Sequence, residues 1–183
     1  MAKHTKAAEP SPVPAYQAKR DFKVTREPSG ARSTQARGKA LSFVVQKHAA
    51  RRLHWDFRLE HDGVLWSWAV PKGPSMDPAD KRLAVHVEDH PLEYGGFEGS
   101  IPAGQYGAGE VEIWDKGTWQ PASDASKAIA DGELKFHLNG ERLSGGFVLV
   151  RLKPRPKEKG ENWLLIKEHD DNERPGTDAE ELE

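Results

Sequence analysis

Apolar residues recur at every second position in short runs along this chain, and glycine or proline interrupts nearly every run. That period belongs to a β-strand with one face buried, not to a helix. Ser42–Gln46 is a short β-branched run, Leu53–Glu60 alternates cleanly, and Val64–Val70 is apolar and Trp-rich. Leu83–Val87 and Glu110–Trp114 alternate, and Trp163–Lys167 closes the set. Glu133–Leu138 and Phe147–Leu152 flank Asn139-Gly140, a pair that signals a hairpin. The spacing predicts a helix near Asp124–Ala130, with Ser123 or Asp124 as its cap. Many short strands with one minor helix point to an all-β barrel or sandwich, and closing the sheet would remove its exposed edges.

A chain of 183 residues is long enough for one domain with a real core, and six Trp and six Phe supply large apolar surface for it. Cysteine is absent, which excludes disulfides and thiolate metal sites and fits a reducing cytosol. No stretch approaches the roughly 20 apolar residues of a membrane helix. Met1–Pro14 has no apolar signal core and is broken by three prolines, so the expected location is the cytoplasm. The net charge of −2 hides an asymmetry. Residues 1–40 carry nine Lys or Arg against three acids, whereas Asp170 onward carries seven acids and only Arg174. Composition marks residues 1–17 as disordered, 28–40 as a mobile polar loop, a compact part from Leu41 to about Glu168 and an acidic tail or linker from Asp170. A basic arm suits phosphate backbones, although a solvated tail has the same composition.

In a strand Leu53–Leu59, the residues Leu53, Trp55, Phe57 and Leu59 share an apolar face, and His54, Asp56 and Arg58 share the other. His and Asp two apart can bind one metal, and Arg58 could neutralise an anion held there. His48 can return as a third ligand. Two His and one carboxylate leave positions open for water and substrate. An ordinary half-exposed strand has the same polar outer face, so other segments must decide. In Arg82–Glu88, the residues Leu83, Val85 and Val87 form one face and Arg82, His86 and Glu88 the other. Pro91 holds His90 extended, Gly95 and Gly96 permit a tight turn, and His90 and Tyr94 can converge on a phosphate at the strand end. Lys72, in Pro71-Lys72-Gly73-Pro74, suits an anion but is equally a solvated loop lysine. The glycine-rich stretch Ile101–Gly109 lacks a P-loop pattern and reads as structural.

Taken together, the motifs resemble the phosphoesterase domain of bacterial DNA ligase D. The resemblance is carried by Phe43–His48, Arg52–Glu60, Trp68–Pro74, Val87–Tyr94, Phe97–Pro102, Trp114–Trp119 and Trp163–Lys167. It covers roughly Tyr16 to Asp170, with no departure at the core positions, and so implies a disordered basic arm (1–15), a phosphoesterase β-barrel domain (16–170) and an acidic tail or linker (171–183). It implies a mainly β fold: a small closed barrel of about eight strands with one or two short helices and flexible N- and C-terminal tails. It implies healing of DNA 3′ ends during non-homologous end joining, by removal of a 3′-terminal ribonucleoside and then the 3′-phosphate. Manganese is the implied metal, with cobalt or another divalent ion as substitutes. By matching motifs, His48, His54 and Asp56 correspond to metal ligands, and Arg58, His90 and Tyr94 to phosphate-contacting or catalytic residues. Lys72 and Arg82 match phosphate-binding positions, and Glu88 a supporting one. Asp21 and Glu27 match acids needed for the ribonuclease step, which requires part of the arm to fold over the site. Implied partners are DNA or DNA/RNA primer-template 3′ ends, ligase and polymerase modules, and the bacterial Ku end-binding protein. The domain would act as a monomer at the nucleoid, stand-alone or excised from a longer chain. Two other classes share these features: a non-catalytic DNA-end-binding module, and a cupin-like metalloenzyme.

Overall fold

The computed structural model describes residues 13–30, 40–156 and 160–182. The expectations for residues 1–12 of the arm, for 31–39 of the polar loop and for Glu183 lie outside these. Nine strands form one antiparallel sheet: β1 (Leu41–Ala49), β2 (Leu53–His61), β3 (Val64–Val70), β4 (Lys81–Pro91), β5 (Gly99–Ile101), β6 (Gly109–Pro121), β7 (Glu133–Gly140), β8 (Ser144–Arg151) and β9 (Glu161–Lys167). Their order is β1-β2-β3-β4-β9-β8-β7-β6-β5, and β1 also pairs with β6. That pairing closes eight strands into a barrel and leaves β5 as an extra strand on β6, so the barrel is the form taken. Among the described residues, no helix is long and apolar enough to cross a membrane.

The alternation read in β2 sends Trp55, Phe57 and Leu59 into the barrel, where they join Phe43, Val45, Trp68, Trp163, Phe136 and Phe147 in the main core. Two helical segments accompany the barrel: α1 (Pro14–Ala18) and α2 (Ala125–Asp131). Asp124 caps α2 by accepting from the Lys127 N–H at 3.2 Å. Gly132 ends it at φ 84°, a conformation that suits glycine. Five-residue α1 would not persist alone. It is held because Val13 and Tyr16 are buried and the Tyr16 hydroxyl donates to the Pro28 carbonyl. Val13 and Tyr16 belong to a second apolar cluster with Leu65, Tyr94, Phe97, Ile101 and Val111, on the outside of the barrel wall. The C-terminal segment also lies against the barrel, with Ala179 and Leu182 buried in the main core.

The Asn139-Gly140 pair marks the right hairpin but not its turn. Asn139 pairs with Ser144, so residues 141–143 make the connection and Gly140 ends β7. Gly140 is glycine for lack of room: a Cβ there would come within 2.5 Å of Asp115 Oδ2 and Phe43 Cζ. The buried Asp115 carboxylate does the turn-forming work, accepting from the N–H groups of Lys116 (2.9 Å), Glu141 (2.9 Å) and Leu143 (2.8 Å). Asp115→Ala would strand these donors and should cost roughly 2–4 kcal/mol. Urea denaturation should show this as a lower midpoint at unchanged slope.

Candidate metal and phosphate site

Strand register assembles the site on the outer face of the barrel wall. His48 lies opposite His54, Gln46 opposite Asp56 and Val44 opposite Arg58. On the other side of β2, Arg58 pairs with Ser67 and Asp56 with Ala69. Directly opposed residues share a face, so the polar residues of β2 are flanked by those of β1 and β3.

His48, His54 and Asp56 offer ligand atoms that all lie within 4.8 Å of one another. His48 Nδ1 is 3.3 Å and His54 Nε2 3.2 Å from Asp56 Oδ2. The far side of each ring faces a carbonyl: His48 Nε2 donates to Gly107 O at 2.7 Å, and His54 Nδ1 to Arg52 O at 3.1 Å. A carbonyl can only accept, so these outer nitrogens carry the protons. In neutral rings the two inner nitrogens are then lone pairs facing a carboxylate. Three electron-rich atoms so close call for a positive charge between them, a proton or a metal ion. Backing of each imidazole by a fixed acceptor is also how metal-binding histidines are oriented. The residues therefore fit a divalent cation. Burial pulls the His54 imidazole down, but the Asp56 carboxylate outweighs it and raises His54 above its ordinary value. Burial would raise Asp56, but Arg58 and the two histidines hold it far below the usual carboxylate range.

Arg58 is 2% exposed. Its Nε donates to Gln46 Oε1 at 2.7 Å, its Nη1 to Ser67 Oγ at 2.8 Å, and its Nη2 lies 3.5 Å from Asp56 Oδ2. The guanidinium sits over the Tyr94 ring at 4.8 Å. Gln46 passes the contact on, donating to Tyr94 O at 2.7 Å and Phe97 O at 3.1 Å.

His90 reaches this face through a β-bulge. Ser67 pairs with Val87 and Leu65 with His90, so Glu88 and Asp89 together oppose Trp66. Without the extra residue, His90 would share the face of Ala84, which points into the core. The bulge also breaks the alternation expected for this strand. Val87, Glu88 and His90 all line the site, while His86 stacks on Trp68 at 5.2 Å, away from it. His90 Nδ1 donates to Glu88 O at 2.8 Å, which leaves Nε2 as an acceptor 3.4 Å from Arg20 Nη2. Burial, then the charges of Arg58 and Arg20, push His90 well below its ordinary value. It is neutral at pH 7 and an acceptor at rest. Tyr94 stands on a 3-10 turn, Leu92–Gly96, and burial raises its phenol so that it stays a donor.

Arg20 was counted only among the basic residues of 1–40, yet its side chain, 5% exposed, lines the cleft. It donates to Glu27 Oε2 at 2.8 Å and Tyr16 O at 3.1 Å, and lies 3.4 Å from Glu88 Oε1. Lys19 donates to Glu88 Oε2 at 3.1 Å. Glu27 is buried beneath Arg20, while Asp21 is exposed and accepts from the Lys23 N–H at 3.1 Å. Gln46, Ser67, Tyr106 and Gly107 are further participants that sequence reasoning did not single out. The resulting cleft of about 270 Å³ is lined by Arg20, His48, His54, Asp56, Arg58, Glu88, His90, Tyr94 and Tyr106 among others. Lys72 and Arg82 do not line it and share a separate cleft.

A closed barrel whose outer wall brings a His-His-Asp cluster and two buried guanidiniums into one cleft is equipped to hold a divalent cation beside an anion. A family profile described as "DNA Ligase D 3'-phosphoesterase domain" matches residues 46–151. The "Multifunctional non-homologous end joining protein LigD" of Pseudomonas aeruginosa is 53% identical over 163 residues, 89% of this chain and 19% of that protein. The "Multifunctional non-homologous end joining DNA repair protein LigD" of Mycobacterium tuberculosis is 47% identical over 152 residues, 81% of this chain and 19% of that protein. The Mycolicibacterium smegmatis protein of the former name is 43% identical over 167 residues, 87% of this chain and 21% of that protein. The chain belongs to the DNA ligase D 3′-phosphoesterase domain family. It spans about a fifth of the length of the relatives it matches.

A metal entering this site must displace the proton that Asp56 favours on His54. Manganese affinity, measured by titration calorimetry, should therefore fall about tenfold per pH unit below the raised His54 value. Affinity independent of pH between about 5 and 8 would contradict the assignment of His54 as a ligand.

Proposed function

We propose that this protein is a divalent-metal-dependent phosphoesterase of nucleic-acid 3′ ends. It removes a 3′-terminal ribonucleoside and then the 3′-phosphate, with manganese as the preferred ion. The observation that carries this reading is the convergence of the His48–His54–Asp56 cluster, Arg58 and His90 on one cleft. Family membership supports it. A divalent ion held by the cluster would neutralise charge on a phosphate oxygen as the ester breaks.

The chain's own residues supply the remaining roles. Arg58 is fixed by Gln46 and Ser67, so its charge is oriented before substrate arrives and no reorganisation is needed during reaction. Arg20 adds a second cation beside His90. His90 Nε2, unprotonated at rest, takes a proton from the attacking water, and the departing oxygen, in line on the far side of the phosphorus, is protonated by solvent. Tyr94 keeps its proton and donates to the phosphate. Glu27 acts through Arg20 as a positioning residue, and Asp21 is an accessory to the ribonuclease step. Within this cleft, the basic groups that favour an anionic substrate over redox metal chemistry are Arg58 and Arg20. On this reading the protein works on primer-template ends with ligase and polymerase modules and with Ku. It does so as a monomer in the cytoplasm, at the nucleoid.

His48→Ala, Arg58→Ala and His90→Ala should each release phosphate from a 3′-phosphorylated primer with manganese on the order of 10²–10³ more slowly than the unmodified protein. Near-normal turnover in all three would sink the proposal. Binding of the primer without any metal-dependent release by the unmodified protein would make it an end-binding module.

A further inference from the structure

The end of the chain folds back over the second cleft, a space of about 460 Å³ lined by Trp55, Lys72, Arg82, Asp178 and Ala179 among others. Two of its N–H groups fasten this segment: Arg174 N–H donates to the Met76 carbonyl at 2.8 Å, and Gly176 N–H to the Asp77 carboxylate Oδ2 at 2.8 Å. Ala179, 1% exposed, packs against Gly73, where an added Cβ would come within 2.6 Å of the Ala179 Cβ. Between these anchors Asp178 reaches Arg82, accepting from Nη2 at 3.1 Å. The Asp178 side chain is 74% exposed, so the pair is screened by water and weak.

Asp178 satisfies the cleft poorly. Arg82 Nη2 is shared with Asp80 Oδ2 at 3.3 Å, while Arg82 Nε is buried with no acceptor. Trp55, 4% exposed, lines the same cleft, and its indole N–H is likewise buried with no acceptor. Two idle donors, a guanidinium and the exposed Lys72 ammonium suit a tetrahedral anion with several oxygens better than one carboxylate oxygen. A phosphate can engage Nε and Nη of an arginine together. We propose that Asp178 stands in for a backbone phosphate of a nucleic-acid strand, and that the C-terminal segment is an acidic strap which a polynucleotide displaces from Arg82. This rests on the reading that the substrate is a polynucleotide, and it adds a self-competing strap to the cleft beyond the catalytic one.

The test is binding of a fluorescein-labelled primer-template duplex with a 3′-hydroxyl, followed by anisotropy in EDTA over a range of salt. The full chain is compared with Asp178→Asn, a near-isosteric change at a side chain that is 74% exposed. Asp178→Asn should tighten binding about three- to tenfold and steepen the log–log salt dependence by about one phosphate contact. The gain should vanish when Arg82→Gln or Lys72→Gln is added. Unchanged or weaker binding by Asp178→Asn overturns the strap, as does an equal gain in both double variants, which would reflect net charge alone. If the unmodified protein and all variants bind no duplex either in EDTA or with manganese restored, the polynucleotide reading fails and the strap with it.

Discussion

The buried Arg58 guanidinium is the contact on which the site depends. A cation taken out of water costs several kcal/mol unless its hydrogen bonds are replaced. Here Gln46, Ser67 and Asp56 occupy its edges and the Tyr94 ring covers its face. Each of these partners has a second duty. Gln46 fastens the 92–97 turn through two carbonyls, and Asp56 gathers His48 and His54. Losing the guanidinium would therefore loosen the turn that carries Tyr94 and remove the charge that keeps Asp56 ionised.

The cleft lies on the outside of the barrel, and this explains the second apolar cluster. The inner face of β2 is spent on the core, so its outer face can hold polar groups only if something shields them from bulk water. Residues 13–30 and the segment from Leu92 to Gly107 do that, with Tyr16 contacting both His90 (4.9 Å) and Tyr94 (5.8 Å) edge-on. Shielding strengthens every charge interaction in the cleft. It also leaves His90 neutral, and so able to accept a proton, while Tyr94 stays protonated.

Most of the barrel was legible from period two alone, because each strand has one buried face. The same rule exposed the His54–Asp56–Arg58 face without any structure. It failed for His90, whose direction depends on the Glu88–Asp89 bulge, a two-against-one pairing with no signature in residue type. It failed for Arg20 because a charged residue in a basic, proline-containing arm looks solvated until Glu27, Glu88 and Tyr16 are seen around it. β5 is only three residues long and leads into the glycine-rich stretch that supplies the Gly107 carbonyl to His48, so no alternation betrayed it. The family resemblance grouped Lys72 and Arg82 with the site, whereas β4 carries Arg82 to a different cleft, under the chain's own acidic end.

Electron–nuclear double resonance of the manganese-loaded protein tests most directly whether the outer barrel wall holds a divalent ion and a phosphate side by side. Nitrogen couplings from two imidazoles should be present, one should be lost in His54→Ala, and a phosphorus coupling should emerge when inorganic phosphate is added. Manganese bound without imidazole nitrogen, or without phosphorus coupling at saturating phosphate, would contradict the account.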